Sequence, residues 1–151
     1  HPEFELNEKN PDYVIVGMDT DLTYHKVRVA TYAIRHGATF IGTNADMNLP
    51  TGDELIPGNG SQCVMSAAAS GQKPLYIGKP ESIIVNMALA KVGYTKSKSV
   101  LVGDNYDTDI KAGFNSQVDQ LLVLTGVTKA KDIKGKRQPT ILVNNLDEFE
   151  L

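Results

Sequence analysis

Residues 100–109 read Val-Leu-Val-Gly-Asp-Asn-Tyr-Asp-Thr-Asp, and this stretch decides the fold class of the chain. The short valine-rich run predicts a buried strand, which the glycine ends. Three aspartates follow within six residues. In open α/β sheets the ligand crevice lies outside the carboxyl ends of the strands. The stretch therefore predicts a polar site at the end of a core strand.

The three aspartates Asp104, Asp107 and Asp109 repel one another unless a cation compensates their charge. Mg²⁺ suits such a site because it usually takes one or two carboxylates together with substrate phosphate and water. We expect Asp104 to contact the ion directly, with Asp109 close by and Asp107 acting mainly as a helix cap. The alternative is helix capping plus solvated loop charge. A calcium loop is excluded, because its glycine and its distal glutamate are both absent.

Composition limits the classes of protein to which the chain can belong. It has 151 residues, of which 41% are hydrophobic and 22% charged, as in a globular protein of one or two small domains. The net charge of -3 argues against a nucleic-acid partner held by bulk charge. The single cysteine, Cys63, excludes an internal disulfide framework and fits a buried helix thiol in a reducing cytoplasm. No apolar run approaches about 18 residues and no segment reads as a signal peptide, so neither a membrane partner nor secretion is expected.

Hydrophobic periodicity and breaker residues predict strands that alternate with helices. Such alternation is typical of an α/β fold with a mainly parallel sheet. We expect residues 50–60 to form an ordered loop, residues 129–137 a solvated surface helix and residues 147–150 a terminal helical turn. The predicted strands are 13–18, 39–42, 75–77, 100–103, 121–124 and 140–143, and the predicted helices run from Thr23 to about His36, from Ser61 to Gly71 and from Glu81 to about Val92.

Lys79 stands just before one of these predicted helices. Pro80 suits the first helical turn and Gly93 the end of the helix. The lysine would then lie at the positive end of a helix dipole, a mildly unfavourable place for a cation. A bound phosphate would compensate both positive charges. The alternative is an exposed lysine of no consequence.

An ordered set of motifs resembles the haloacid-dehalogenase (HAD) superfamily, in its NagD-like, p-nitrophenylphosphatase-type branch. The resemblance implies an α/β cap domain at about residues 12–73 and the C-terminal part of a Rossmann-like, parallel-sheet core at 74–151. The core motifs are Gly-Lys-Pro at 78–80, Gly-Asp-Asn-Tyr-Asp-Thr-Asp at 103–109 and Leu-Thr-Gly-Val-Thr at 124–128; the cap motifs are Pro-Asp-Tyr-Val-Ile-Val-Gly-Met-Asp at 11–19, Phe-Ile-Gly-Thr-Asn-Ala-Asp at 40–46 and Pro-Gly-Asn-Gly at 57–60.

The resemblance implies Mg²⁺-dependent hydrolysis of phosphate monoesters through an aspartyl-phosphate intermediate. Lys79 matches the lysine that neutralises the phosphate and the nucleophile. Asp104 matches the acidic metal ligand, and Asp109 matches the second carboxylate of the metal site. Met18 and Leu49 match cap-loop positions that face the substrate in relatives. Because both are apolar here, the expected substrate is a small phosphorylated metabolite that needs no ionic clamp at these positions.

The same resemblance implies that one catalytic part is missing. The family carries its nucleophile and general acid in an Asp-x-Asp motif before the cap, so this chain would lack the first part of the core. The bared sheet edge would then favour a homodimer or edge-strand self-association. Residues 19–23 also spell Asp-x-Asp-x-Thr. A complete capless phosphatase using Asp19 and Asp21 as nucleophile and acid is therefore one alternative, and a non-catalytic binding module is the other.

Overall fold

The computed structural model describes residues 3–149. In this range no helix has both the length and the apolar character needed to cross a membrane. The chain divides into two compact units, the first ending at Ile77 and the second beginning at Gly78. The sequence placed the boundary between cap and core at residues 73 and 74, and the identification of the two units with cap and core stays a prediction.

Strands and helices alternate over most of residues 3–149, as the sequence predicted, and the α/β fold class is confirmed. A π-helical turn at Tyr106–Ile110 and single 3-10 turns at Lys96–Lys98, Ala130–Ile133 and Leu146–Glu148 complete the described structure. The strands are β1 (Tyr13–Val16), β2 (Thr39–Gly42), β3 (Asn48–Thr51), β4 (Glu54–Pro57), β5 (Leu75–Tyr76), β6 (Val100–Gly103), β7 (Asp119–Val123) and β8 (Ile141–Val143), and the helices are α1 (Tyr24–Arg35), α2 (Asn59–Ser70), α3 (Ser82–Val92) and α4 (Lys111–Ser116).

The first unit is built on a parallel sheet in the order β1-β2-β5. Its core joins Ile34 of α1, Phe40 of β2 and Cys63 of α2, so both helices pack on the same side of the sheet. Burial of these apolar side chains is the main stabilising contribution. The parallel strands β1 and β2 end side by side, which places the loops after Val16 and Gly42 at one edge of this unit.

Several helix ends lie where the sequence predicted them. The hydroxyl of Thr23 accepts a hydrogen bond from the Lys26 amide at 3.2 Å and caps α1. Gly71 ends α2 with φ of 78° and Gly93 ends α3 with φ of 71°. Glycine is favoured at both ends because it enters the left-handed region without steric cost.

Residues 48–57 form a β-hairpin, so the predicted loop over residues 50–60 is wrong. Strands β3 and β4 pair antiparallel around the two-residue turn Gly52-Asp53, and Thr51 faces Glu54. Pro50 and Pro57 lack a backbone donor and argued against strands. A two-stranded sheet leaves one edge of each strand unpaired, which makes both prolines tolerable there.

Two predicted helix starts are also wrong. Helix α2 begins at Asn59 with Gly58 as its cap, and Ser61 lies in the first turn, where its hydroxyl donates to the Met47 carbonyl at 2.6 Å. Helix α3 begins at Ser82 with Glu81 as its cap, so Pro80 precedes the helix. The basic segment 129–137 forms only the 3-10 turn at Ala130–Ile133, and Glu150 of the predicted terminal turn lies outside the described residues.

The second unit contains a parallel sheet in the order β6-β7-β8. The central strand β7 starts with the polar residues Asp119 and Gln120 and is apolar and buried from Leu121 to Val123. One face of this sheet packs Leu122 against Tyr106, Ile110 and Ile133. Because Gly103 is the last residue of β6, Asp104 stands at the carboxyl end of a parallel strand, where the sequence predicted the site.

Candidate functional site

Lys79 and Asp109 form an ion pair in the second unit. The Lys79 Nζ atom lies 2.7 Å from Asp109 Oδ1. The Asp109 side chain is only 9% exposed, whereas that of Lys79 is 54% exposed. The lysine therefore keeps its ammonium group beside a largely buried carboxylate while part of its side chain remains open to a ligand or to water.

The second oxygen of Asp109 is also occupied. Asp109 Oδ2 accepts a hydrogen bond from the Asn105 amide at 3.1 Å. A Cβ atom on Gly103 would overlap the Asp109 side chain, so glycine is needed there to let the carboxylate approach the end of β6. Asp109 is thus fixed by an ammonium group, a backbone amide and a close-fitting backbone.

Asp104 is held by the turn that follows β7. The Val127 amide donates to Asp104 Oδ2 at 2.8 Å, and the Thr128 amide donates to the Asp104 carbonyl at 3.0 Å. A Cβ atom on Gly126 would overlap the Asp104 carboxylate. The turn at residues 126–128 therefore determines the orientation of this carboxylate.

Asp107 does not cap the helix, and the prediction that it does is wrong. The side chain of Asn105 takes that place, since its Oδ1 accepts a hydrogen bond from the Asp107 amide at 3.0 Å. The Asp107 carboxylate instead pairs with Lys111 Nζ at 2.6 Å on the protein surface. The hydrogen bond from Lys111 lowers the pKa of the Asp107 carboxyl below its ordinary value.

The donor atoms fit part of a magnesium coordination shell. In the described range, residues 3–149, no hydrogen bond ends on Asp104 Oδ1, and no group of three or more His, Cys, Asp or Glu side chains is arranged to hold a metal ion. Both Asp109 oxygens already have donors. Mg²⁺ commonly takes one or two carboxylates and completes its shell with phosphate and water. The second unit could therefore supply one free carboxylate oxygen, with the other ligands coming from elsewhere.

The other predicted site residues belong to the first unit. Met18 is in the loop after β1, and Leu49 lies in β3 opposite Ile56. Asp19 Oδ2 pairs with Lys26 Nζ at 2.8 Å, and the hydrogen bond from Lys26 lowers the pKa of the Asp19 carboxyl. Gln62 of α2 also holds Asp19, because its amide group bonds both the Asp19 amide and the Asp19 carbonyl.

Known proteins resemble both units. The HAD-hydrolase-like family matches residues 76–149. The 5'-nucleotidase YutF of Bacillus subtilis is 46% identical over 142 residues, which are 93% of this chain and 56% of that protein. An acid sugar phosphatase of Staphylococcus aureus is 43% identical over 143 residues, covering 94% of this chain and 55% of that protein. The structure of NagD from E. coli K-12 superposes with a TM-score of 0.90 at 36% identity, covering 98% of this chain and 58% of that one.

The chain belongs to the NagD-like branch of the HAD-like hydrolases. The resemblance inferred from the motifs is confirmed. The chain spans about half the length of the relatives that it matches. The match to the HAD-like family contains Lys79, Asp104 and Asp109, whereas Met18 and Leu49 precede it.

Sequence reasoning missed the residues that hold Asp104 in this HAD-like chain. Gly126, Val127 and Thr128 belong to the Leu-Thr-Gly-Val-Thr motif at 124–128, but no contact with Asp104 was predicted for them. The contacts join residues more than 20 positions apart, and they depend on the parallel pairing of β6 with β7. The available signal was the glycine two residues after a predicted core strand, which permits a close approach of the backbone.

Proposed function

We propose that this chain forms part of a Mg²⁺-dependent phosphatase that hydrolyses phosphate monoesters of small metabolites. One observation carries the proposal: the Lys79–Asp109 ion pair and the Asp104 carboxylate, which has a free oxygen, are each held at residues 103–105, the carboxyl end of strand β6. Membership in the HAD-like hydrolases supports it, as do relatives named a nucleotidase and a sugar phosphatase.

In this proposal the residues of the second unit bind the phosphate and prepare its transfer. Lys79 supplies a positive charge to the phosphoryl oxygens, and Asp109 holds the ammonium group in place. Asp104 would hold the metal ion through Oδ1, since Oδ2 is bound to the Val127 amide. The ion, when bound, supplies Lewis-acid stabilisation of the phosphoryl charge. The nucleophilic carboxylate that would form the aspartyl-phosphate belongs, in this proposal, to a segment outside residues 1–151.

The first unit acts in this proposal as the cap that selects the substrate. Met18 and Leu49 would contact the part of the substrate beyond the phosphate, and their apolar side chains favour a substrate without a second anionic group there. A cytoplasmic location is part of the same proposal. It is supported by the single thiol, Cys63, which is buried and free.

The alternative in which Asp19 is the nucleophile receives no support from its surroundings. Both of its carboxylate oxygens accept hydrogen bonds, one from the Asp21 amide at 2.8 Å and one from Lys26. A nucleophile must present a free oxygen to phosphorus in line with the leaving group. Asp19 would have to release the Lys26 ion pair before it could attack.

One assay separates the three functions. The purified 151-residue chain is incubated with p-nitrophenyl phosphate and Mg²⁺, beside its Asp19→Asn variant and a longer form that carries the additional core segment this proposal requires. We expect the 151-residue chain to be silent and the longer form to be active, with Lys79→Met removing most of that activity. Turnover by the short chain that is abolished by Asp19→Asn would establish the capless phosphatase. Phosphate binding by a longer form that never hydrolyses the ester would establish a binding module.

A further inference from the structure

The turn at residues 126–128 makes three separate hydrogen bonds with residues 104–106. Val127 donates its amide proton to the Asp104 carboxylate, and Thr128 donates its own to the Asp104 carbonyl. The Thr128 hydroxyl oxygen accepts a hydrogen bond from the Tyr106 amide at 2.8 Å. One short turn thus binds the side chain of Asp104, its carbonyl and the backbone two residues further on.

Thr128 is buried, with 6% of its surface exposed, and its backbone and side chain bond two successive points of the chain that follows the Asp104 Cα atom. Its amide holds the chain at residue 104, and its hydroxyl holds it at residue 106. A buried amide that loses its acceptor is costly, so the Tyr106 amide has a strong preference for this hydroxyl. These two bonds restrain the backbone from the Asp104 carbonyl to the Tyr106 amide relative to the turn.

We propose that Thr128 is a positioning residue for the Asp104 carboxylate. By fixing the backbone that follows the Asp104 Cα atom, while the pairing of β6 with β7 fixes the residue before it, Thr128 keeps Oδ2 on the Val127 amide and leaves Oδ1 presented to a divalent cation. Gly126 completes the arrangement, because the space that a Cβ atom would take is filled by the carboxylate. This inference rests on the proposed function for the identity of the cation. Its geometric part, the orientation of Asp104 by Thr128, can be tested without any metal.

The test compares three variants of the 151-residue chain. Thr128→Val keeps the shape and removes the acceptor, Thr128→Ser keeps the hydroxyl, and Thr140→Val is the matched control. Thr140 also accepts a hydrogen bond from a backbone amide, that of Gln120 at 3.3 Å. Gln120 lies at the start of β7, whereas the candidate site lies beyond the end of that strand, so the control substitution is remote from the site. Thr128→Ala removes the same hydroxyl with a smaller side chain and is used if the valine variant does not fold.

The first measurement is hydrogen exchange at the Val127 amide. This amide bonds the Asp104 carboxylate, and Thr128 takes no direct part in that bond. We expect exchange at Val127 to accelerate about 10-fold in Thr128→Val, as for the loss of one buried hydrogen bond, and to stay unchanged in Thr128→Ser and Thr140→Val. Unchanged protection of Val127 in both variants without the hydroxyl would overturn the inference. Equal acceleration in Thr140→Val would do the same, because it would show a general loss of stability.

The second measurement is Mn²⁺ binding, followed by paramagnetic broadening of the amide signals around Asp104. Loss of a residue that orients a metal ligand typically weakens binding 10-fold to 100-fold, so we expect weakening of about that size in Thr128→Val and recovery in Thr128→Ser. The same titration is made on the longer form used in the phosphatase assay, and if that form shows no broadening near Asp104, the metal role in the proposed function fails. The exchange result at Val127 still decides the positioning role in that case.

Discussion

The ion pair between Lys79 and Asp109 makes a quantitative prediction about stability. Replacing Lys79 by methionine keeps most of the side-chain length and removes the charge. Asp109 would then remain with a carboxylate that is only 9% exposed and retains the Asn105 amide as its hydrogen-bond donor. Replacing Asp109 by asparagine instead leaves an ammonium group that is already half exposed to water. The lysine substitution should therefore be the more destabilising of the two.

The magnitude follows from the unequal burial of the two partners. Exposed ion pairs contribute roughly 0 to 1 kcal/mol, because water screens them and their side chains lose entropy. Breaking a fully buried pair costs about 3 to 5 kcal/mol, because a charge stays behind without compensation. This pair joins a buried carboxylate to a half-exposed lysine, so we expect Lys79→Met to lower the free energy of unfolding by about 1 to 2 kcal/mol.

The assay is a double-mutant cycle by urea denaturation, using Lys79→Met, Asp109→Asn and the double variant. The exposed pair between Lys26 and Asp19 provides a matched control, since its N···O distance is 2.8 Å and neither of its side chains is buried. The coupling free energy between Lys26 and Asp19 should be clearly smaller than that between Lys79 and Asp109. Equal coupling in the two pairs, or none between Lys79 and Asp109, would refute the reasoning from burial.

Four further predictions concern the site and the sheet. In an active form, Asp104→Asn should weaken activation by Mg²⁺ far more than Asp107→Asn, and equal effects would contradict the assignment of Asp104 as the ligand. Because its folded-state pKa is lowered, Asp107 stabilises the fold above the ordinary carboxyl value and loses this contribution as pH falls through the lowered pKa; Asp107→Asn should therefore lower stability at neutral pH but not in strong acid, as measured by thermal unfolding. Substitution of Met18 and Leu49 by alanine should change the ranking of substrates in a panel of phosphate monoesters, and an unchanged ranking would remove them from the pocket. The outer edge of β6 is unpaired in residues 3–149 and borders an apolar groove of about 530 Å³, so the short chain should self-associate in sedimentation experiments. Val102→Lys should reduce this self-association, whereas Leu142→Lys on β8, at a similarly exposed position, should not.

Elements that depend on local chemistry could be predicted from the sequence. Strand β2 has the predicted bounds, Thr23 caps α1, and Gly71 and Gly93 end their helices in the left-handed conformation. Each of these features is decided by residues within one or two helical turns. The order of strands and helices followed from the same signals, and it gave the α/β fold class.

Features that depend on distant partners or on competition between local signals were missed. Because Pro50 and Pro57 disfavour strands, the hairpin was not predicted, although Gly52-Asp53 between two short segments is a hairpin signal. Asp107 and Asn105 are both good capping residues. Because the π-helical turn begins at Tyr106, the N-cap position is that of Asn105. The contacts of Thr128 with residues 104 and 106 require the pairing of β6 with β7, which short-range patterns do not encode.

The burial of Cys63 makes its thiol a probe of the opening of the first unit. The thiol is fully buried in the core of this unit, and burial raises its pKa, so an alkylating reagent can reach it only when α2 moves away from the sheet. Since the chain has a single cysteine, every molecule that reacts gains one label, and that label belongs to an opening of the first unit. The labelling rate then reports the fraction of time for which the core around Cys63 is open, and it reports the opening rate itself at reagent concentrations where alkylation is faster than reclosing.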